Sequence, residues 1–266
     1  MPRNLVAETL RQGLYTRLVS KRILFFQTLD STMDEAARQA EAGVAEGTVV
    51  VAETQSLSRG RMGRTWVSQP GNLYVSVLFY PALEKLPHLS SLSAVAVVRA
   101  IRKTCRLAAR LKWPNDVLVK GKKVAGVLVE SAVDGESVRY AIVGIGINVT
   151  MECEKVDELS GYATSLEAAA QREMSRERLL RDLLQEIDGL YLKLAEGQTP
   201  LEEWKTLLDT LGQQVTVSFH GESHTGLAED VDEVGNLLLR VDDGELITLT
   251  AGDVTLQHPV SNTSCC

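Results

Sequence analysis

The sequence predicts an α+β protein: one mixed, mostly antiparallel sheet with flanking helices, followed by a small C-terminal β-barrel. Three observations support this fold class. The runs VLVK and KKVAGVLVESA on either side of Gly121 are typical of an antiparallel hairpin. Residues 88–109 carry an Ala/Val/Leu helical pattern with little charge, which indicates a buried helix. After Gly212, short strands alternate with turn signals about every 8–12 residues, as in a small barrel.

The remaining elements are assigned in chain order. Strands are expected over 23–29, 48–53, 73–80 and 139–149, and further helices over 5–18, 175–194 and 200–211. The polar run Asp30-Ser31-Thr32 should cap a helix from Met33 to Ala42. The change in pattern near residue 212 divides the chain into a unit of residues 1–211 and a smaller unit of residues 212–266.

Length and charge exclude several classes of protein. The 266 residues suffice for a buried core without disulfides or a structural metal. The net charge of −7 argues against a dedicated DNA-binding protein, and no run of about 18 apolar residues predicts a membrane span.

Four cysteines without a CxxC pair, and no visible signal peptide, favour the cytoplasm. Cys105 is expected in the core, whereas Cys265-Cys266 indicates either lipidation or a tail without a role.

A segment rich in Gly and Arg, residues 58–66 (the arginine loop), departs from the pattern of a packed core. Glycine lets the backbone approach a ligand closely, and arginine offers planar donors suited to carboxylate or phosphate. The segment therefore predicts an anion-binding loop. A solvated flexible loop and an RNA-contacting segment are alternatives that its composition leaves open.

Two further segments place charge beside apolar strands. In residues 112–116, KWPND, proline favours an extended backbone at Trp113, and the Asn and Asp oxygens can hold hydrated Mg²⁺; a simple Asx turn is the alternative. Lys123 adjoins an apolar run, where a partly desolvated ammonium can neutralise a carboxylate or a phosphoryl oxygen. The alternative for Lys123 is a hairpin lysine that points to water.

Residues 144–148, GIGIN, differ from a dinucleotide-binding fingerprint. The third glycine of that fingerprint is missing, and a strand continues where a helix should begin. Paired glycines within a strand instead indicate close approach of a ligand or of neighbouring backbone.

Cations cluster in two short stretches of this acidic chain: Arg59, Arg61, Arg64, Arg110, Lys112, Lys120, Lys122 and Lys123. Such a local positive site suits a small polyanion, for example a nucleoside triphosphate, better than a long nucleic acid. The sequence has no GxxxxGK[ST], HExxH or GxSxG motif and no spaced Cys/His set. We therefore expect chemistry that relies on positioning and charge stabilisation, with nucleophiles supplied by the substrates.

The order RGRxGRxW, KWPND, KxxG and GxGxN, within about residues 23–258, resembles the biotin protein ligases, the biotin–acetyl-CoA-carboxylase ligase family. The resemblance implies a class II synthetase-like catalytic fold with an SH3-like C-terminal barrel, and two reaction steps. Biotin attacks the α-phosphorus of ATP, with Mg²⁺, and forms biotinyl-5′-AMP. A lysine of the biotin carboxyl carrier domain of acetyl-CoA carboxylase, or of a related carboxylase, then takes the biotin. No tightly bound prosthetic group is implied.

Position by position, the resemblance also implies the site residues. Lys123 resembles the main catalytic residue, assisted by Arg59 and Arg61, while Asn115 and Asp116 resemble magnesium ligands. The residues implied for biotin are Ser31, Thr32, Met33, Gln55, Arg59, Gly60, Arg61, Lys123, Gly126, Gly144 and Gly146. Those implied for ATP are Arg59, Arg61, Arg64, Trp66, Lys112, Asn115, Lys123 and Asn148.

The sequence departs from the family pattern at Met33, often Asn, at Ser58, usually Gly, and at Met62, often basic. In some members a C-terminal arginine reaches the nucleotide; residues 227–230 hold none, so no site residue is expected from this unit. About 22 residues precede the first catalytic strand, so a DNA-binding helix-turn-helix and specific DNA binding are not expected. Sheet-edge dimers are common in the family, which makes a homodimer a candidate state.

Three rival functions remain. A lipoate ligase or octanoyltransferase shares the fold but lacks the pairing of RGRxGRxW with KWPND. An RNA-binding protein would use the arginine loop but leaves Lys123 unexplained. A degenerate ligase would bind biotin as a sensor without catalysis, and biotin-dependent ATP–pyrophosphate exchange discriminates it from an active enzyme.

Overall fold

A seven-stranded sheet and a five-stranded sheet organise the chain in this computed structural model, which describes residue 5, residues 13–219 and residues 221–256. The large sheet contains β1 (Ile23–Leu29), β2 (Val49–Gln55), β3 (Leu73–Phe79), β4 (Ala109–Lys112), β5 (Asp116–Val119), β6 (Lys122–Asp134) and β7 (Ser137–Ile147). The helices are α1 (Thr32–Glu41), α2 (His88–Cys105), α3 (Leu166–Ala170), α4 (Arg176–Ala195) and α5 (Leu201–Leu207). The small sheet contains β8 (Gln214–Phe219), β9 (Glu222–Val231), β10 (Leu237–Val241), β11 (Leu246–Leu249) and β12 (Asp253–Leu256).

The large sheet is mixed and mostly antiparallel, so the predicted fold class is confirmed. Its strand order is β1-β2-β3-β7-β6-β5-β4, and β1 with β2 is its parallel pair. One face packs against the apolar sides of α2, α4 and α5 in the main core. On the other face, Met33 and Ala36 of α1 pack on Val50, Leu78 and Ile142. This second face also carries the candidate site.

Two local predictions are confirmed. The Ser31 hydroxyl accepts hydrogen bonds from the backbone N–H groups of Met33 and Asp34 at 3.2 and 3.4 Å, so it caps α1 as expected. Between β5 and β6, Lys120 and Gly121 have φ angles of +52° and +75°. Two successive left-handed residues form a turn that matches the twist of an antiparallel hairpin.

The helix expected over residues 5–18 is not present from residue 13 onward, and its earlier part lies outside the described residues except for Leu5. The backbone N–H groups of Arg17, Leu18 and Val19 instead donate to the buried carboxylate of Asp188 at 2.7–2.8 Å. A helix would need these donors to bond within the segment, so the tertiary contact replaces the local structure.

Two helices end earlier than predicted. The α2 helix stops at Cys105 because Arg106 adopts a left-handed conformation, with φ of +57°. Cys105 is buried, as expected. The α5 helix stops at Leu207, after which Leu208 pairs with Leu111 and the Asp209 N–H donates to the carbonyl of Leu111 at 2.8 Å. Pairing with β4 therefore ends α5.

The small sheet is antiparallel, in the order β11-β10-β9-β8-β12. Trp113 joins it to the large sheet, because its indole Nε1 donates to the Gly235 carbonyl at 2.9 Å. The Trp113 backbone N–H also donates to the Thr210 hydroxyl at 2.9 Å. The terminal pair Cys265-Cys266 lies outside the described residues. Within residues 13–219 and 221–256, no helix is long and apolar enough to cross a membrane.

Candidate functional site

The floor of the candidate site is one rung of the large sheet that crosses six strands. The paired residues along this rung, from β2 to β4, are Ala52, Tyr74, Gly146, Gly126, Asp116 and Lys112. Directly paired residues point to the same face of a sheet, and those from Tyr74 to Lys112 all line one cavity of about 620 Å³. This volume falls within the range of small-molecule sites, roughly 300–1,000 Å³.

Glycines in this floor make room for side chains from above. A Cβ atom at Gly146 would lie 2.5 Å from Trp66 Cε2, and one at Gly126 would lie 3.0 Å from Trp66 Cζ3. Two residues before Gly146 on β7, a Cβ atom at Gly144 would lie 2.6 Å from Met33 Sδ. The close approach expected at the paired glycines is therefore made by two side chains of the protein rather than by backbone.

Lys123 reaches the floor because the strand register is irregular. Leu118 pairs with Lys123 and Asp116 pairs with Gly126, so β6 holds one extra residue between these two pairs. This bulge turns Lys123 and Gly126 to the same face, although residues three apart in a regular strand face opposite sides. The Lys123 Nζ lies 2.6 Å from Asp116 Oδ1 and 5.3 Å from the centroid of the Trp66 ring.

A short segment after β7 holds Lys123 from the other side. The Lys123 N–H donates to the Tyr162 carbonyl, and the Thr164 N–H donates to the Lys123 carbonyl, both at 2.9 Å. The buried Asn148 amide donates from Nδ2 to the Thr164 carbonyl at 3.3 Å. Two predicted site residues, Lys123 and Asn148, are thus joined through one segment.

The start of α1 and the end of β2 bring Ser31, Thr32 and Gln55 to the cavity wall. The Thr32 N–H donates to Gln55 Oε1 at 2.7 Å, and the buried Ser76 hydroxyl donates to Thr32 Oγ1 at 2.8 Å. Gln55 Nε2 donates to Ser68 Oγ at 3.1 Å. The Thr32 hydroxyl therefore keeps its own proton for a ligand that offers an acceptor.

The arginine loop is a narrow hairpin. The Gly60 N–H donates to the Arg64 carbonyl at 2.7 Å, and the Trp66 N–H donates to the Ser58 carbonyl at 3.1 Å. Gly63 lies in its turn with φ of +72°, a conformation that favours glycine. Ser58, where the family usually has glycine, donates from Oγ to the Trp66 carbonyl at 2.7 Å, so its hydroxyl closes the base of the loop.

Arg59, for which a catalytic role was expected, is engaged by two carboxylates. Its Nε and Nη2 donate to Glu130 on β6 at 2.8 and 2.7 Å, and Nη2 also lies 2.8 Å from Asp34 Oδ1 in the first turn of α1. These hydrogen bonds, first to Glu130 and then to Asp34, raise the pKa of Arg59 above its ordinary value. The structure therefore ties Arg59 to the frame of the sheet.

The small sheet also lines the cavity, whereas no site residue was expected from it. Residues 252–255, at the start of β12, form part of the wall. Arg64 makes an ion pair with Asp253, and Arg61 Nη1 lies 3.4 Å from the carbonyl oxygen of Gly252. The small sheet reaches the cavity because β12 is its edge strand, and this edge meets the arginine loop.

Of the eight clustered cations, the cavity gathers five: Arg59, Arg61, Arg64, Lys112 and Lys123. The other three bind elsewhere, Arg110 to Asp209, Lys120 to the Ala169 carbonyl and Lys122 to Glu154. The described lining includes two carboxylates, those of Asp116 and Asp253. Arg59 also meets Glu130 and Asp34, so five cations face four carboxylates and the excess is one positive charge. Arg61 and Lys112 make no ion pair within the described part of the chain, which fits a site for an anionic ligand.

Burial alters the titration of two of these cations. Burial lowers the pKa of the Arg61 guanidinium; Asp116 opposes this effect and Arg64 adds to it. Burial also lowers the pKa of Lys112, again against Asp116, while the charges of Lys123 and Arg64 add to the effect. A partly desolvated cation with like-charged neighbours is stabilised by an arriving anion, so the cavity favours anionic ligands.

Magnesium was implied at Asn115 and Asp116. Among residues 13–219 and 221–256, no cluster of three or more His, Cys, Asp or Glu side chains could hold a metal ion. Asn115 Nδ2 donates to the Val127 carbonyl at 2.5 Å, which leaves Oδ1 near Arg61 Nη1 at 3.4 Å. One carboxylate and one amide oxygen on the wall fit a magnesium ion that arrives with phosphate and water ligands.

Sequence reasoning missed Tyr74 and Asp253, which line the cavity. It also missed Asp34, Ser76 and Glu130, which contact the lining residues Arg59 and Thr32. Glu130 carried a signal, since Gly126, Leu128 and Glu130 alternate on one face of β6. Asp253 carried none, because its place depends on how the small sheet docks.

Comparison with known protein families shows first the class of protein to which this chain belongs and then its family. The profile of the Biotin/lipoate A/B protein ligase family matches residues 25–148, which include the arginine loop and Lys123. The profile of the Biotin protein ligase C terminal domain matches residues 210–256, the small sheet.

Individual relatives support the narrower assignment. The Bifunctional ligase/repressor BirA of Bacillus subtilis is 35% identical over 249 residues, 91% of this chain and 77% of that protein. The Biotin--[acetyl-CoA-carboxylase] ligase of Mycobacterium tuberculosis is 32% identical over 238 residues, 86% of each. The structure of biotin protein ligase from Aquifex aeolicus in complex with biotin and ATP matches with a TM-score of 0.76 and 31% identity, over 89% of this chain and 99% of that one. This chain therefore belongs to the biotin protein ligase family, and it is a ligase. The lipoate alternative is not favoured.

Proposed function

We propose that this chain activates biotin with ATP and transfers it to a lysine of a biotin carboxyl carrier domain, such as that of acetyl-CoA carboxylase. One observation carries the proposal: in a chain of this family, a cavity on a glycine floor gathers five cations, of which Arg61 and Lys112 make no ion pair among the described residues. In the first step a biotin carboxylate oxygen bonds to the α-phosphorus of ATP, and pyrophosphate leaves. In the second step the carrier amine attacks the carbonyl of biotinyl-5′-AMP, loses a proton and releases AMP.

The cations stabilise charge in the first step. Lys123 faces the biotin carboxylate and the α-phosphate, where its ammonium offsets the charge that develops as the oxygen attacks. Arg61, Arg64 and Lys112 bind the phosphates and orient pyrophosphate for departure. The protein thus supplies position and charge, and both nucleophiles come from substrates.

The uncharged groups orient the two substrates. Ser31, Thr32 and Gln55 hydrogen-bond the ureido ring of biotin, which presents both donors and an acceptor. Met33 packs beside that ring and Gly60 lets the loop cover it, while Trp66 stacks on adenine and Asn148 binds it. The buried Trp66 Nε1 has no hydrogen-bond partner among the described residues, so it can donate to a substrate acceptor.

Magnesium enters as part of the nucleotide substrate. Asn115 and Asp116 would hold an ion that arrives bound to the triphosphate, and the ion would neutralise phosphate charge. Because Lys123 pairs with Asp116 at 2.6 Å, binding of the ion would free the ammonium for the reacting oxygens. Chelation of Mg²⁺ should therefore abolish adenylation without preventing biotin binding.

The catalytic unit is proposed to be residues 1–211 and the second unit residues 212–266, with the reaction taking place in the cytoplasm. The free, buried thiols of Cys105 and Cys153 are consistent with a reducing compartment. A homodimer and the lack of specific DNA binding stay predictions.

The deciding experiment is incubation with biotin, MgATP and a purified carrier domain, followed by mass measurement of the carrier. We expect the mass of one biotinyl group on one lysine, and no change without ATP or with lipoate in place of biotin. Biotin binding without biotin-dependent ATP–pyrophosphate exchange would instead identify a sensor. Modification by lipoate alone would contradict the proposal.

A further inference from the structure

We propose that Glu130 and Asp34 are positioning residues of the ligase reaction. Through Arg59 they hold the arginine loop in the conformation that carries Arg61 and Trp66 into the cavity. We call the three residues Arg59, Glu130 and Asp34 the loop anchor. The proposal rests on the proposed function of the cavity, but its structural part can be tested without any substrate.

The geometry of the loop anchor is that of a clamp between rigid elements. Glu130 receives two parallel hydrogen bonds from Arg59, at 2.8 and 2.7 Å, and Asp34 Oδ1 lies 2.8 Å from the same Nη2. Bidentate, charge-assisted pairs of this kind fix orientation as well as distance. Glu130 pairs with Ile142 in the middle of the sheet, and Asp34 lies in the capped first turn of α1. The anchor therefore connects the loop to two elements that cannot move freely.

The arginines of the loop differ in how well their charges are satisfied. Arg59 meets two carboxylates, and these contacts raise its pKa. Arg61 makes no ion pair within the described part of the chain, and burial lowers its pKa. A substrate anion would have to displace two acids to bind Arg59 Nε and Nη2, whereas Arg61 gains a partner. We infer that Arg59 holds the loop and that Arg61 meets the substrate.

This division of roles predicts a specific kinetic effect. If the loop holds Arg61 and Trp66 in the cavity only part of the time, the apparent dissociation constant equals the intrinsic one divided by that fraction of time. Since all three anchor side chains are about one-third or more exposed, the effect should be modest. We expect a rise of about three- to tenfold in KM for biotin and ATP, with kcat nearly unchanged because saturating substrate itself orders the loop.

The test compares Glu130→Gln and Asp34→Asn with a matched control, Glu41→Gln. Glu41 of α1 pairs with Arg139 of β7 at 2.7 Å, so it also joins this helix to the sheet, but through Arg139 rather than through the arginine loop. The structural readout is tryptic cleavage after Arg61 in the full chain without ligands, at several NaCl concentrations. The kinetic readout is the KM and kcat of biotin-dependent ATP–pyrophosphate exchange.

We expect both anchor variants to be cleaved several-fold faster than wild type, while Glu41→Gln is cleaved at the wild-type rate. Added salt should speed cleavage of the wild type and have less effect on Glu130→Gln, because an exposed ion pair is screened. Equal cleavage in all four proteins would overturn the proposal, as would a loss in kcat without a rise in KM. If Glu130→Gln fails to fold, Asp34→Asn decides by the same readouts. If no protein shows exchange, the proposed function fails, and the cleavage rates still decide whether the anchor holds the loop.

Discussion

The indole of Trp66 occupies the space that a side chain at Gly146 would fill: a Cβ atom there would lie 2.5 Å from Trp66 Cε2 and 2.7 Å from Nε1. The GIGIN pattern therefore has a spatial reason, because the strand must be bare where the aromatic ring of the loop rests on it. The relationship also links two sequence motifs that lie about 80 residues apart.

Substitution of Gly146 by alanine should displace Trp66. Gly146→Ala is expected to raise the KM for ATP by about tenfold or more, because the ring that faces adenine must shift by about 1 Å to clear the added Cβ atom. The matched control is Gly189→Ala in α4, where no heavy atom lies within 4 Å of the added Cβ. The control should keep wild-type kinetics and gain stability, by about 0.5–1 kcal/mol. Equal KM values for the two variants would contradict this role of Gly146.

Removal of the Lys123 ammonium should slow adenylation. Lys123→Ala is expected to reduce biotin-dependent ATP–pyrophosphate exchange about 100-fold or more, which corresponds to roughly 3 kcal/mol of transition-state stabilisation. The neighbouring Lys122 pairs with Glu154 and does not line the cavity. Lys122→Ala should therefore exchange at nearly the wild-type rate. Unchanged exchange in Lys123→Ala would remove this residue from the reaction.

Lys112 should reduce stability while it supports nucleotide binding. Its pKa is lower in the fold than in water because burial disfavours the charged form, so below that pKa the charged lysine costs folding free energy. Lys112→Met should raise the free energy of unfolding by about 1 kcal/mol and weaken MgATP binding. Urea denaturation and calorimetric titration measure the two effects. A variant that is less stable than wild type would show that the ammonium is well satisfied by its surroundings.

The buried pair of Arg176 and Glu53 should govern stability. Arg176 Nη1 lies 2.8 Å from Glu53 Oε1 and donates to the Asn72 carbonyl at 3.0 Å, and both charged side chains are about 5% exposed. Arg176→Met would leave the Glu53 carboxylate buried without its cation, at a cost of about 3–5 kcal/mol. The double variant Arg176→Met/Glu53→Gln should lose less than the sum of the single changes. Additive losses in urea denaturation would mean that the two residues act independently.

Asp182 should make stability depend on pH. Burial acts to raise its pKa, but hydrogen bonds from Lys103 and Thr104 and the charge of Lys103 lower it overall. A carboxyl with a lowered folded-state pKa stabilises the fold above its unfolded value of about 3.9, and this contribution disappears as the pH falls through the folded value. Asp182→Asn should therefore destabilise the protein at neutral pH and match wild type in strong acid. At neutral pH the exposed control, Asp242→Asn, should change the free energy of unfolding by less than about 0.5 kcal/mol.

Local sequence determined much of the fold, because the interactions that cap a helix or form a tight turn join residues only a few positions apart. The Ser31 cap, the Lys120-Gly121 turn and the apolar pattern of α2 each follow from local chemistry. The helix expected before residue 18 was wrong from residue 13 onward because Asp188, about 170 residues away, takes its backbone donors. Long-range hydrogen bonds of this kind leave no local signal.

The sequence by itself determined which segments carry the charge and in what order, which indicated chemistry that relies on positioning and charge stabilisation. The resemblance of its motifs to the biotin protein ligases indicated a ligase. Only the tertiary structure decided how those charges are used. Strand register placed Lys112, Asp116 and Gly126 on one rung, a bulge turned Lys123 onto it, and docking of the small sheet brought in Asp253. The physical reason is that spacing along the chain fixes the face of a side chain only within a regular strand, whereas bulges, register and partners depend on what pairs with that strand and folds against it.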